Sequence, residues 1–123
     1  MCSDARLWPN KMSTILCVDD DRKTLQTLFF LLDANGFEFV GADNAAQAEA
    51  FLRSRTIDLV ILDHGLPETD GATLARQFKA IKNVPVLMLT GRVEAHQPTA
   101  VDKLLHKPQE PDVLVAEIRK LVA

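Results

Sequence analysis

Four places in the sequence put a reactive side chain straight after a short apolar run. Asp19-Asp20-Asp21 follows run 14–18, Asp63 follows 58–62, Thr90 follows 85–89, and Lys107 follows 104–106. Carboxylates at close range repel each other, so they either raise their pKa values or hold a cation. A hard divalent ion such as Mg2+ takes oxygen ligands and keeps some waters, so two carboxylates plus a carbonyl make a sensible site. Metal, carboxylate nucleophile, ammonium and hydroxyl together are the parts of a phosphoryl-transfer site. There the metal and Lys107 would neutralise phosphoryl oxygens, and Thr90 would donate a hydrogen bond to one of them. Each residue alone has a plainer reading. Asp is common in turns after strands, and a lone lysine is usually solvated. The combination points to chemistry.

The runs that carry these residues predict five strands: 14–18, 37–42, 58–62, 85–89 and 104–106. Near-continuous hydrophobicity over four to six residues suits a parallel strand buried on both faces. Helical patterns lie between them. Leu25, Leu28, Phe29 and Leu32 follow the i, i+3, i+4, i+7 spacing, and Gly36 is a natural stop. The adjacent Phe29-Phe30 pair reads mostly as core. Residues 45–53 follow the N-cap candidate Asn44, and Leu74, Ala75, Phe78 and Ile81 make a third stripe after Asp70-Gly71, read as turn and N-cap. Leu114, Ile118 and Leu121 make the last stripe, opened by Pro111. Segment 91–102 should hold a further helix but contains Pro98, which predicts a short or irregular fourth helix.

Strand–helix alternation predicts an α/β fold, a doubly wound five-stranded parallel sheet in the order 2-1-3-4-5. Ligands bind outside the carboxyl ends of such strands. That order sets the first and third strands side by side, so Asp19, Asp20 and Asp63 would converge, whereas the second strand ends in the unreactive Gly41-Ala42. Residues 1–13 show no periodicity and are expected to be a flexible tail before one domain over 14–123.

Composition excludes several classes. The chain has 123 residues, 47% hydrophobic and 25% charged, which suits one packed domain. Fourteen Lys and Arg against 17 Asp and Glu give a net charge of −3, against nucleic-acid binding through general charge. The longest apolar runs, 28–32 and 84–89, fall far short of the about 20 residues a membrane helix needs. Residues 1–11 have no apolar core of a secretory leader. Two cysteines, Cys2 and Cys17, make no disulfide framework, and a reducing cytoplasm is the simplest reading. Cys17 reads as a buried small hydrophobe. His64, His96 and His106 lack metal-ligand spacing, and His64 reads as a loop histidine.

At this point the chain resembles the receiver domains of two-component response regulators. The matching pieces are Ile15-Leu16-Cys17-Val18-Asp19-Asp20, Leu59-Val60-Ile61-Leu62-Asp63 with Leu66-Pro67 and Asp70-Gly71, Val86-Leu87-Met88-Leu89-Thr90-Gly91, and Lys107-Pro108. The resemblance covers residues 14–123 and implies a flavodoxin-like fold. It implies that Asp63 is the phosphoacceptor, and that Asp20, Asp63 and the backbone carbonyl of Gly65 hold Mg2+, with Asp19 helping through water. Thr90 and Lys107 would contact the phosphoryl group, and Asp21 would not be a ligand. Arg92, two residues past Thr90, would lie over the acyl phosphate. The implied donor is a sensor histidine kinase or phosphotransfer protein. A downstream protein would read the switch, with no direct contact to nucleic acid or membrane. The domain would be no enzyme beyond catalysing phosphorylation and dephosphorylation of its own Asp.

The pattern departs from the family at Leu104, where an aromatic usually stands, and at Gln109, where another is usual. Lys107 follows Thr90 by only 17 positions. Without an aromatic at 104, the family's coupling between the strand-four hydroxyl and a ring on strand five cannot operate in its usual form. Two other readings compete. An aspartyl-phosphate phosphohydrolase would want Asp-x-Asp-x-Thr after the first strand and a cap insertion, and neither is present. A phosphorylation-independent interaction module would have no need of Asp19, Asp20, Asp63, Thr90 and Lys107 together.

Overall fold

A computed structural model describes residues 12–65, 70–91, 97–107 and 109–123. Its elements in chain order are β1 (Thr14–Val18), α1 (Arg22–Ala34), β2 (Glu38–Ala42), α2 (Ala45–Ser54), β3 (Leu59–Asp63), α3 (Gly71–Ile81), β4 (Val86–Thr90), β5 (Lys103–His106) and α4 (Pro111–Val122). All strand pairs are parallel, in the order β2-β1-β3-β4-β5, as predicted.

The alternation of side chains along each strand builds two cores, one per face. Ile15, Cys17, Leu59, Ile61, Leu87 and Leu89 pack against Leu28 and Leu32 of α1 and Leu114, Val115 and Ile118 of α4. Leu16, Val18, Val60, Leu62, Val86 and Met88 pack against Ala48 and Leu52 of α2 and Leu74, Ala75 and Phe78 of α3. Strands buried on both faces must be apolar throughout, which is why β1 and β4 are buried at every position.

Local signals end the helices where the chemistry requires. Asp21, Asn44 and Asp70 cap α1, α2 and α3 by accepting from Lys23, Gln47 and Thr73 N–H at 3.0, 2.8 and 2.9 Å. Pro111 opens α4. Gly36 takes φ 84° after α1, and Phe37 N–H closes the turn on the Leu32 carbonyl at 3.0 Å.

The Phe29-Phe30 pair departs from expectation. Phe29 is 40% exposed and Phe30 61% exposed. The core-facing stripe of α1 runs through Leu28 and Leu32, and Phe30 lies about 200° round from Leu28. Phe29 sits at the margin of that stripe, against Phe39 at 5.5 Å and Phe30 at 5.3 Å. The short or irregular helix expected in 91–102 falls largely outside the described residues. Residues 92–96 fall outside the described set, and described residues 97–102 form a turn, with Val101 N–H on the Pro98 carbonyl at 3.1 Å. The expected tail, apart from residues 12 and 13, is likewise outside the described residues.

Candidate functional site

The carboxyl ends of β1 and β3 are adjacent because Val18 pairs with Leu62. This brings carboxylate oxygens of Asp19, Asp20 and Asp63 within 4.8 Å of one another. Asp19 follows β1 directly. Its N–H donates to the Ala42 carbonyl at 3.0 Å and its Oδ1 accepts from Asp21 N–H at 2.9 Å. It is 3% exposed, whereas Asp20 is exposed. Asp63 is the last residue of β3. Lys107 reaches it from the far side of β4, with Nζ 2.9 Å from Oδ1. Backbone pairing sets that lysine, since Lys107 N–H donates to the Thr90 carbonyl at 2.6 Å. Gly65 N–H also approaches Asp63 Oδ1, at 3.3 Å.

Charge in this cluster is unbalanced. Three carboxylates face one ammonium. Burial is the main reason that Asp19 is pushed up to about 6, and repulsion from Asp63 and Asp20 adds to it. The Asp21 N–H and Lys107 oppose the shift without cancelling it. A buried carboxylate held at that disadvantage favours a cation beside it, and an all-oxygen donor set fits a hard divalent ion. Asp19, Asp20 and Asp63 are therefore the side chains that would hold Mg2+.

Thr90 closes β4, fully buried, next to the Asp63–Lys107 pair. Its hydroxyl meets His64, whose Nδ1 lies 2.8 Å away. This contact is one that residue types alone did not suggest, because His64 reads there as an ordinary loop histidine. The signal was available in the pairing: Asp63 lies opposite Leu89, so residue 64 comes beside residue 90. Leu104 lies opposite Met88 and packs against the α2/α3 face. Gln109 turns back on the strand end, its Nε2 donating to the His106 carbonyl at 2.9 Å. Asp70 is a cap, as expected, Asp21 caps α1, and Cys17 is buried. Leu66, Pro67, Arg92, His96 and Pro108 lie outside the described residues.

No helix among the described residues is long and apolar enough to cross a membrane.

Comparison with known proteins agrees with this fold. Residues 15–119 match the family model described as the response regulator receiver domain. The chain is 33% identical over 117 residues to the phosphate regulon transcriptional regulatory protein PhoB of Pseudomonas aeruginosa, covering 89% of this chain and 51% of that protein. It is 33% identical over 110 residues to the DNA-binding response regulator MtrA of Mycobacterium tuberculosis, covering 85% of this chain and 48% of that one. The chain thus spans about half the length of these relatives. Among solved structures, the response regulator TrrA of Thermotoga maritima in complex with Mg2+ and BeF is 29% identical, with a TM-score of 0.82 over 89% of this chain and 99% of that one. The signal receiver domain of an HD-domain protein from Pseudomonas fluorescens is 28% identical, with a TM-score of 0.84 over 94% of this chain and 90% of that one.

Proposed function

The chain belongs to the response regulator receiver domain family of two-component systems, and from that premise we propose that Asp63 is its phosphoacceptor. The observation that carries this is the Lys107 Nζ–Asp63 Oδ1 contact of 2.9 Å beside three carboxylates within 4.8 Å. Asp63 attacks the phosphorus of a phosphohistidine on a sensor kinase or phosphotransfer protein, or of a small phosphodonor. The O–P bond forms as the donor's bond to phosphorus breaks: the P–N bond of phosphohistidine, with the electron pair leaving on the imidazole nitrogen, or the P–O bond of acetyl phosphate, with the pair leaving on acetate. Mg2+, when bound, neutralises charge on the phosphoryl oxygens.

This chain's residues do the rest. Asp19, Asp20, Asp63 and the Gly65 carbonyl would hold the ion, Asp19 through a bound water. Lys107 then moves its ammonium from the carboxylate alone to the acyl phosphate, and Thr90 donates its hydroxyl to a phosphoryl oxygen. The contacts of Thr90 and Lys107 draw the loops after β3 and β4 together, and a downstream protein reads that change. We take residues 14–123 as the domain, after a tail over 1–13, working in the cytoplasm. The formal charge of −3 favours a protein partner over nucleic acid. Beyond handling phosphate on its own Asp63, the domain is not an enzyme.

The test is mass spectrometry after incubation with Mg2+ and acetyl phosphate. The wild type gains one phosphoryl group, and Asp63→Asn gains none. Stoichiometric modification that persists in Asp63→Asn sinks the assignment. A wild type that takes up nothing points instead to a phosphorylation-independent interaction module.

A further inference from the structure

His64 follows Asp63 directly, and no step of the proposed reaction uses it. Its N–H donates to the Leu89 carbonyl at 2.9 Å, which extends the β3–β4 ladder by one step. That step sets its ring against Thr90, Nδ1 to Oγ1 at 2.8 Å. The ring is seated from the other side as well. Helix α3 begins at Gly71, where a Cβ would fall 2.5 Å from Met88 Cε and 3.5 Å from His64 Cδ2. A side chain at 71 would clash with Met88 and only touch the imidazole, so it is Met88 that needs the glycine, and the start of α3 lies beside the His64 ring. Thr90 is fully buried and His64 half-buried. A threonine hydroxyl can turn about χ1, and a hydrogen bond to a seated ring removes that freedom. Because Oγ1 carries a single proton, the bond leaves that proton for a phosphoryl oxygen when Nδ1–H donates to Oγ1, and this is the tautomer the role requires.

We propose that His64 is a positioning residue that holds the Thr90 hydroxyl in the orientation from which it meets a phosphoryl group on Asp63. This rests on the phosphoacceptor reading of Asp63. Interactions made before the reaction cost no reorganisation during it.

The test is beryllofluoride affinity of the whole 123-residue chain with Mg2+, read from amide NMR shifts. His64→Leu keeps an apolar side chain there and removes the bond. It should weaken affinity about three- to tenfold, the effect of one ordinary hydrogen bond. His64→Asn sets a polar atom near the place of Nδ1 and should stay within about twofold of wild type. In a Thr90→Ala background, His64→Leu should change nothing further. Equal affinities for wild type and His64→Leu overturn the proposal, as does the same loss persisting without the Thr90 hydroxyl. Tighter binding by His64→Leu also overturns it, because the ring would then be withholding the hydroxyl. An Asn variant as weak as the Leu variant counts against it too. Should His64→Leu not fold, the imidazole nitrogen shifts of His64 decide in Thr90→Ala without any mimic: they move if the bond exists and stay put if it does not. A folded wild type that binds no beryllofluoride sinks the phosphoacceptor reading itself, and this role for His64 with it.

Discussion

The two ends of the sheet use the same residue type in opposite ways. At the amino ends, each carboxylate is matched to its own donors. Asp58 accepts from Thr14 N–H at 2.8 Å and Glu38 from the Thr14 hydroxyl at 2.9 Å. Asp102 accepts from Val86 N–H at 2.8 Å and from Lys79 at 2.7 Å. Burial pushes Asp102 up, but those two hydrogen bonds and the Lys79 charge together outweigh it and hold the carboxyl below its ordinary value. At the carboxyl ends, Asp19, Asp20 and Asp63 face each other with one lysine among them, and Asp19 is pushed up to about 6. Carboxylates that cap strand N–H groups stabilise the fold. Carboxylates crowded together hold free energy that a cation or phosphoryl group releases.

The largest effect is expected at the matched end. Asp102→Ala leaves the buried Val86 N–H and Lys79 without their shared partner, and should cost about 2–3 kcal/mol in urea unfolding. A loss under about 0.5 kcal/mol would show that water replaces the carboxylate and that the two ends differ less than they look.

Asp19→Asn should act in the other direction. The native pKa is raised, so between about 4 and 6 the folded protein binds more protons than the unfolded one. Stability of the metal-free protein therefore falls as pH rises through that window, on this group's account. Asn can still accept from Asp21 N–H and carries no charge. The variant should be about 1–2 kcal/mol more stable than wild type at pH 7 without Mg2+, with little difference near pH 4. Urea unfolding at both pH values checks this. A destabilised Asp19→Asn at pH 7 would mean the crowding is already relieved.

The smallest effect separates neighbours. Asp21 caps α1 through Lys23 N–H and the Thr24 hydroxyl. Asp21→Ala should lower the thermal midpoint slightly and leave Mg2+ affinity within about twofold, whereas Asp20→Ala should lose about tenfold or more. Equal losses of Mg2+ affinity would shift the site by one residue.

Most of the fold was readable along the chain because its signals are local. The apolar runs, the caps Asn44 and Asp70, the stop at Gly36 and the opening at Pro111 depend on near neighbours. The strand-end rule then picked out Asp19, Asp20, Asp63, Thr90 and Lys107 as a set. Helical spacing alone places Phe30 off the core stripe, whereas the exposure of Phe29, at the margin of that stripe, depends on which elements cover it.

What the sequence determined by itself is therefore the elements, their order and the residue types at their ends. Each follows from spacing within about a dozen residues. The tertiary structure decided which of those types meet. Asp19 is buried and Asp20 exposed, though they are adjacent. Lys107 reaches Asp63 across 44 positions, and His64 reaches Thr90 across 26. Those contacts depend on the register of β3 against β4 and of β4 against β5, and register belongs to the packed sheet, because it comes from pairing strands that are far apart in the chain.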